Sequence, residues 1–322
     1  MQCNSLSASR KKCYHDCEFS YYLKYHLGIK QEKSFPAEQG TFAHEIYERL
    51  ALEKIKGEKN PNILKTWFQE IINAYRNERK VKNRFGQEEV IPPLWKLSQK
   101  ALSREKNCNS CPFFVDGSCW VTNEKVEDFQ GCPKDEFQDT LRLVEQVLYH
   151  PGRLNPLNKK LIAAEQSFRI YLEDGQGEKI PINGIIDLVS ELDHETIEIE
   201  DYKTGKGTQN WMQCQDDDQF KIYFMAAKHL YPQYKHVLVT AHYLKRKYGP
   251  SPTVIFSDEE VENIKKDLIK IYHEIKNNDF PVRRCDRHNG RVYFDWKCEY
   301  WCNPDICQPE YEKFIKNGGI SE

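Results

Sequence analysis

The chain has 322 residues, 39% of them hydrophobic and 30% charged, enough for one large soluble domain or two ordinary ones. Its 47 Lys+Arg against 49 Asp+Glu leave a formal net charge of -2, which excludes whole-molecule attraction to nucleic acid and leaves local basic patches or bound cations to supply any such contact. No apolar run approaches the ~20 residues of a membrane-spanning helix, and the start lacks the apolar core of a secretory signal, so a cytoplasmic protein with no membrane attachment is expected. In chain order, the first hundred residues read as helical: Ala43, Ile46, Tyr47, Leu50 and Ile55 recur at helical spacing within 39–56, and Gly57 marks a stop. A basic run of Arg76, Arg79, Lys80, Lys82 and Arg84 follows, suited either to a solvated face or to nucleic-acid backbone. Residues 105–135 hold Asn, Ser, Gly and Pro with little periodicity and read as an inserted, cysteine-rich subdomain that a core alone would not hold. From Leu161 the pattern turns to short alternating segments, giving strands at about 163–171, 180–190, 196–203 and 235–244. A helix over 217–230 lies between the last two, and another begins after Ser257, where Ser257 and Glu260 form a capping box ahead of Val261, Ile264, Leu268, Ile271 and Ile275. Helices before, between and after a small sheet predict an α/β fold, a central mixed sheet flanked by helices with a cysteine-rich insertion.

The twelve cysteines fall in groups: Cys3, Cys13 and Cys17; Cys108, Cys111, Cys119 and Cys132; a lone Cys214; and Cys285, Cys298, Cys302 and Cys307. In an intracellular chain such spacing reads as metal or iron-sulfur ligands rather than disulfides. Cys108-x-x-Cys111 opens its group with the tight pair of a zinc knuckle, so zinc is expected there, with a second iron-sulfur cluster or no metal as alternatives. Cys298, Cys302 and Cys307 lie among aromatics and suggest a cluster lacking one ligand, with zinc or unligated thiols as alternatives.

The sharpest signal lies in two neighbouring strands, 183–189 and 197–203, joined by a short polar segment that suits an antiparallel hairpin. Period-two geometry puts Asp187 on one face of the first and Asp201 and Lys203 on one face of the second, so two carboxylates and an amine can converge. Phosphodiester hydrolysis uses that grouping: carboxylates hold Mg²⁺ or Mn²⁺, which polarises the phosphoryl oxygen, while lysine orients or deprotonates the nucleophile.

Gly184-x-x-Asp187 followed by Asp201-Tyr202-Lys203-Thr204-Gly205 resembles the signature of the PD-(D/E)XK nucleases, specifically their RecB-like exonuclease branch. The resemblance extends to Gln219-x-x-x-Tyr223 on the next helix, whose residues in that branch position DNA and the scissile phosphate, and to Gly40-Thr41-x-x-His44, whose histidine joins the carboxylates at the metal. It implies a restriction-endonuclease-like fold, His44, Asp187, Asp201 and the backbone of Tyr202 as metal ligands, and Lys203 as activator of the attacking water. Glu165 resembles the branch's additional glutamate and is expected to support the site rather than bind metal. A subset of the branch, including AddB-type nuclease subunits and CRISPR-associated spacer-acquisition exonucleases, holds a 4Fe-4S cluster on one amino-terminal and three carboxy-terminal cysteines; Cys17, Cys298, Cys302 and Cys307 are similar, with Cys13 and Cys285 as nearby competitors.

The resulting expectation is a single nuclease domain over 1–322, with an inserted metal-binding subdomain at 105–135 and an iron-sulfur clasp at 285–322. Its expected activity is metal-dependent exonucleolytic hydrolysis of DNA, on single-stranded ends, in recombination, repair, phage DNA processing or CRISPR adaptation. The competing expectation is a catalytically weak iron-sulfur DNA-binding or scaffold subunit of a larger nuclease complex. No Gly-x-x-x-x-Gly-Lys-Ser/Thr motif occurs in the sequence, so a helicase, recombination or CRISPR-adaptation partner would be a separate protein, and an oligomer is compatible with the resemblance.

Overall fold

A computed structural model describes residues 5–28, 33–82, 88–245 and 251–277, together with the backbone of 285–288 and 291–294. Ser7 caps α1 (Ala8–Asp16), its hydroxyl oxygen accepting from the Arg10 amide, and α2 (Glu18–Tyr21) leads into a π-helical turn at Tyr22–His26. α3 (Phe35–Ile55) starts with Pro36 in its first turn, where a missing N–H costs nothing, and buries Phe42, Ala43, Ile46, Tyr47 and Leu50 along one stripe. α4 (Ile63–Arg76) follows, then the antiparallel pair β1 (Arg79–Lys82) and β2 (Glu88–Ile91) and a short α5 (Gln99–Ser103). Next come a three-stranded ribbon, β3 (Phe114–Val115), β4 (Ser118–Cys119) and β5 (Glu124–Lys125), and α6 (Lys134–Leu148).

The main sheet begins with β6 (Lys160–Glu173), β7 (Lys179–Glu191) and β8 (Thr196–Lys203), joined as antiparallel neighbours. α7 (Trp211–Asp216) and α8 (Asp218–Leu230) then carry the chain to β9 (His236–Tyr243), which pairs with β8 in parallel. Parallel pairing requires such a crossover. β10 (Thr253–Val254) completes the order β10-β9-β8-β7-β6, followed by α9 (Asp258–Lys276) and the backbone hairpin β11 (Cys285–His288) and β12 (Arg291–Phe294). This is the mixed sheet flanked by helices expected from the sequence.

Each face of the sheet has its own core. Ile197 and Ile199 of β8 pack with Phe220 and Phe224 of α8 and Leu268 of α9, whereas Tyr202, on the alternate face, packs with Leu188, α3, α4 and α6. Before residue 188, β7 has no β8 partner, and Leu6 fills that edge: its amide donates to Pro181 O (2.9 Å) and its carbonyl accepts from Asn183 N (2.8 Å). α4 falls within the hundred residues that read as helical, β1 and β2 interrupt that helical run as an antiparallel pair, and α6 is an element the sequence pattern left unassigned. No helix among the described residues is long and apolar enough to cross a membrane.

Candidate active site

The pairing of β7 with β8 runs from Glu191↔Ile197 to Leu188↔Glu200 and stops there. The next amide, Tyr202 N–H, donates instead to Asp187 Oδ2 at 2.8 Å. A ladder bond is thus replaced by a side-chain bond that fixes Asp187 beside β8. Across the other edge of β7, pairing with β6 skips one position between Ala164↔Leu188 and Gln166↔Ile186, and Glu165 occupies it with φ at 46°. A non-glycine residue in this region costs on the order of 1–3 kcal/mol and persists only where its surroundings enforce it. That distortion brings Glu165 to Asp187.

α3 supplies His44. Its approach to the turn after β8 depends on Gly40, where an added Cβ would stand 2.6 Å from Thr204 Oγ1. His44 Nδ1 then lies 3.4 Å from Asp187 Oδ2, its ring edge-on to that of Tyr202 (6.4 Å, 88°). Ligand atoms of His44, Glu165 and Asp187 all fall within 4.8 Å of one another. Gly184 serves the same strand pair, because its register partner is Phe168, whose ring would meet an added Cβ at 2.3 Å.

α8 supplies the rest. Gln219 Nε2 donates to Asp201 Oδ1 (3.1 Å) and to Tyr223 Oη (2.7 Å), while its Oε1 accepts from Lys203 Nζ (2.7 Å). Asp201 Oδ2 is buried without a hydrogen-bond partner; Lys203 Nζ lies 2.8 Å from it, outside hydrogen-bonding alignment. Burial and, after it, the negative charge of Asp201 push the Asp187 carboxyl up to about 6. Burial, then Asp187 and Glu48, push Glu165 up to about 8. An imidazole and two half-buried, mutually repelling carboxylates, with the buried and unsatisfied oxygen of Asp201 behind them, form a donor set that fits a hard divalent cation.

The site lies in a groove of about 1550 Å³ whose walls are α1, the start of α3, the turn after β8 and the start of α8. Two cations of the basic run at 76–84, and Lys245 in the second basic stretch of the sequence, 245–247, have internal partners. Arg76 Nε donates to Trp120 O (3.1 Å), Arg79 pairs with Glu45 (3.2 Å), and Lys245 pairs with Asp139 (2.8 Å) and Gln39 (2.9 Å). Lys80, Lys82 and Lys206 are exposed; Arg84, Arg246 and Lys247 lie outside the described residues.

Cys17 sits at the corner between α1 and α2, its sulfur accepting from the Ser20 amide at 3.3 Å. Cys298, Cys302 and Cys307, named with it as cluster ligands, lie outside the described residues. Cys108, Cys111, Cys119 and Cys132 line a single small cavity.

Sequence reasoning assigned Glu165 a supporting place; the structure puts it among the candidate ligands. The signal was available in its position one strand back from Asp187, but the positive φ that interrupts the pairing at Glu165 was not. No sequence pattern assigned a role to a buried polar set behind β8. There Glu200 accepts from Ser190 Oγ (3.0 Å), contacts His242 Nε2 (2.8 Å) and pairs with Lys159, both charged side chains being fully buried. His242 in turn stacks on Tyr202 (5.3 Å, 30°).

A profile of the PD-(D/E)XK nuclease superfamily matches residues 5–107 and 120–308. The chain is 22% identical over 206 residues to an ATP-dependent helicase/deoxyribonuclease subunit of Streptococcus uberis, covering 63% of this chain and 14% of that protein. The corresponding helicase/deoxyribonuclease subunit of Clostridioides difficile is 39% identical over 56 residues, 16% of this chain and 5% of that protein. The chain therefore spans about a seventh or less of the length of these curated relatives. The crystal structure of a candidate exonuclease from Eubacterium rectale overlays on 90% of this chain and 89% of its own at 11% identity, with a TM-score of 0.41.

Proposed function

The chain belongs to the PD-(D/E)XK nuclease superfamily, and from that premise we propose that it is a divalent-metal-dependent deoxyribonuclease acting exonucleolytically on DNA, with single-stranded ends as the favoured substrate. The observation that carries this reading is the convergence of His44, Glu165, Asp187 and Lys203 on one groove, with Asp201 buried directly behind Lys203.

His44, Glu165, Asp187, Asp201 and the Tyr202 carbonyl are the groups that would hold Mg²⁺ or Mn²⁺. Such a cation, when bound, polarises a phosphoryl oxygen and acidifies a water. The chain's own part is placement. Lys203 Nζ, donating to Gln219 Oε1 and paired with Asp201, orients the attacking water and stabilises the negative charge that builds on the phosphate. Gln219 holds that amine and Asp201 in one arrangement, and Tyr223, anchored to Gln219, extends the same helix face toward the scissile phosphate. Exposed Lys80, Lys82 and Lys206 supply phosphate contacts outside the site.

A 4Fe-4S cluster on Cys17, Cys298, Cys302 and Cys307 is part of the same proposal, as a clasp joining the α1–α2 corner to the 285–322 segment. The relatives are helicase/deoxyribonuclease subunits, which supports DNA as substrate and a helicase as partner, in recombination or repair or in a related phage or CRISPR-adaptation step. End-labelled linear and covalently closed circular DNA, single-stranded and duplex, incubated with Mn²⁺ test the activity. Mononucleotide or short-oligonucleotide release from linear single strands, with circles spared, is expected. Binding without cleavage on every substrate would replace the enzyme by a scaffold subunit.

A further inference from the structure

Cys108, Cys111, Cys119 and Cys132 come from separate points of the chain: a 3-10 turn at Cys108–Ser110 and the residue after it, strand β4, and the loop before α6. They form no disulfides, yet all four line one cavity of about 20 Å³. A space of roughly 10–15 Å³ takes one water-sized sphere, so this cavity is of the size of a single ion. Four cysteine donors select a borderline or soft cation, and zinc closes a tetrahedral Cys₄ set without further ligands.

We propose that Cys108, Cys111, Cys119 and Cys132 bind one structural zinc ion, distinct from the catalytic metal and from any iron-sulfur cluster. Among the described residues, the sets of three or more ligand atoms within 4.8 Å of one another do not include these sulfurs, so the proposal requires the thiolates to draw together on binding the ion. The family match covers 5–107 and 120–308, leaving three of the four cysteines outside it. The site is therefore an addition to the matched family core.

Its surroundings show what the ion would hold. Trp120, beside Cys119, stacks between Phe113 (6.1 Å, 18°) and Phe68 of α4 (6.1 Å, 25°), and the Arg76 guanidinium lies 4.9 Å from its ring. Trp120 and Phe113 both meet Phe137 of α6 edge-on, at 6.0 and 5.5 Å. The zinc thus fixes a ribbon that clamps α4 to α6, and those helices pack behind α3, which carries His44.

Metal analysis of anaerobically purified full-length protein tests this, beside Cys108→Ser/Cys111→Ser and Cys132→His. One zinc per chain is expected, lost in the double serine variant, kept in Cys132→His because imidazole is also a zinc ligand, with iron content the same in all three. Because the serine variant can also fail by misfolding, the wild type is titrated with a mercurial while a chromophoric chelator follows zinc release. Release in step with these thiols supports the site. Wild-type protein without zinc, zinc unchanged in the serine variant, or loss of iron in place of zinc would overturn it.

Discussion

Glu165 and Asp187 face each other across β6 and β7, and burial holds both carboxyls above their ordinary range, at about 8 and about 6. Without a cation the folded chain therefore binds protons at these groups more tightly than the unfolded chain does. Their contribution is full at acid pH and is lost as pH rises from the ordinary carboxylate range through about 8. A divalent cation needs the charged forms and reverses that trend, releasing protons as it binds. Melting temperature in EDTA should fall between pH 6 and 8, less steeply in Glu165→Gln, and added Mn²⁺ should raise it most at the upper end. A Mn²⁺-induced rise as large in Glu165→Gln as in the wild type would remove Glu165 from the metal site. Lys203→Ala should slow cleavage by about 10²–10³-fold, the range for loss of one preorganised group that stabilises transition-state charge. Gln219→Ala should cost less, since Asp201 still holds the amine. Asp187, Asp201 and Lys203 were legible because alternation along two strands dictates a shared face. Glu165 was less so, because its aim depends on a positive φ that no sequence pattern announced.

The elements meet where small residues permit it. Gly40→Ala would push α3 off the turn after β8, at a cost of about 1–3 kcal/mol, and Thr204→Ala should recover part of it. Thr204 Oγ1 is the clashing atom, and its Cβ, at 3.7 Å, is in ordinary contact. Chemical denaturation of the two single variants and the double variant would show the coupling, and strict additivity would contradict the packing argument. Behind β8, Lys159→Met leaves Glu200 buried without its cation, and a loss of about 3–5 kcal/mol is expected. Capping chemistry was readable in advance: Ser257 and Glu260 do close α9, with Ser257 Oγ accepting from Glu260 N and Glu260 Oε2 from Ser257 N. α6 was missed although Phe137, Val144, Val147 and Leu148 are buried at helical spacing, because it follows directly on the aperiodic cysteine stretch. The Glu200 network was illegible for another reason: Glu198 and Glu200 alternate with isoleucines as a solvated face would. They are buried only because Lys159, Arg153 and His242 arrive from distant segments.

In the whole molecule, the sheet separates two cores, and the site forms where α3 from one side and α8 from the other converge on the same end of β7 and β8. His44 and Gln219 are 175 positions apart in sequence, so neither core alone completes the constellation. The fold class was readable because strands and helices alternate in the second half; α6, and its packing with α4 behind α3, had to be seen. The proposed chemistry divides the labour, with carboxylates holding metal and Lys203 acting on the nucleophile. Its most direct test is to measure Mn²⁺ occupancy and DNA hydrolysis together in wild type, Asp187→Asn and Lys203→Ala. Asp187→Asn should lose both, whereas Lys203→Ala should keep the metal and lose cleavage. Hydrolysis at the wild-type rate in either variant would contradict the assignment of this groove as the active site.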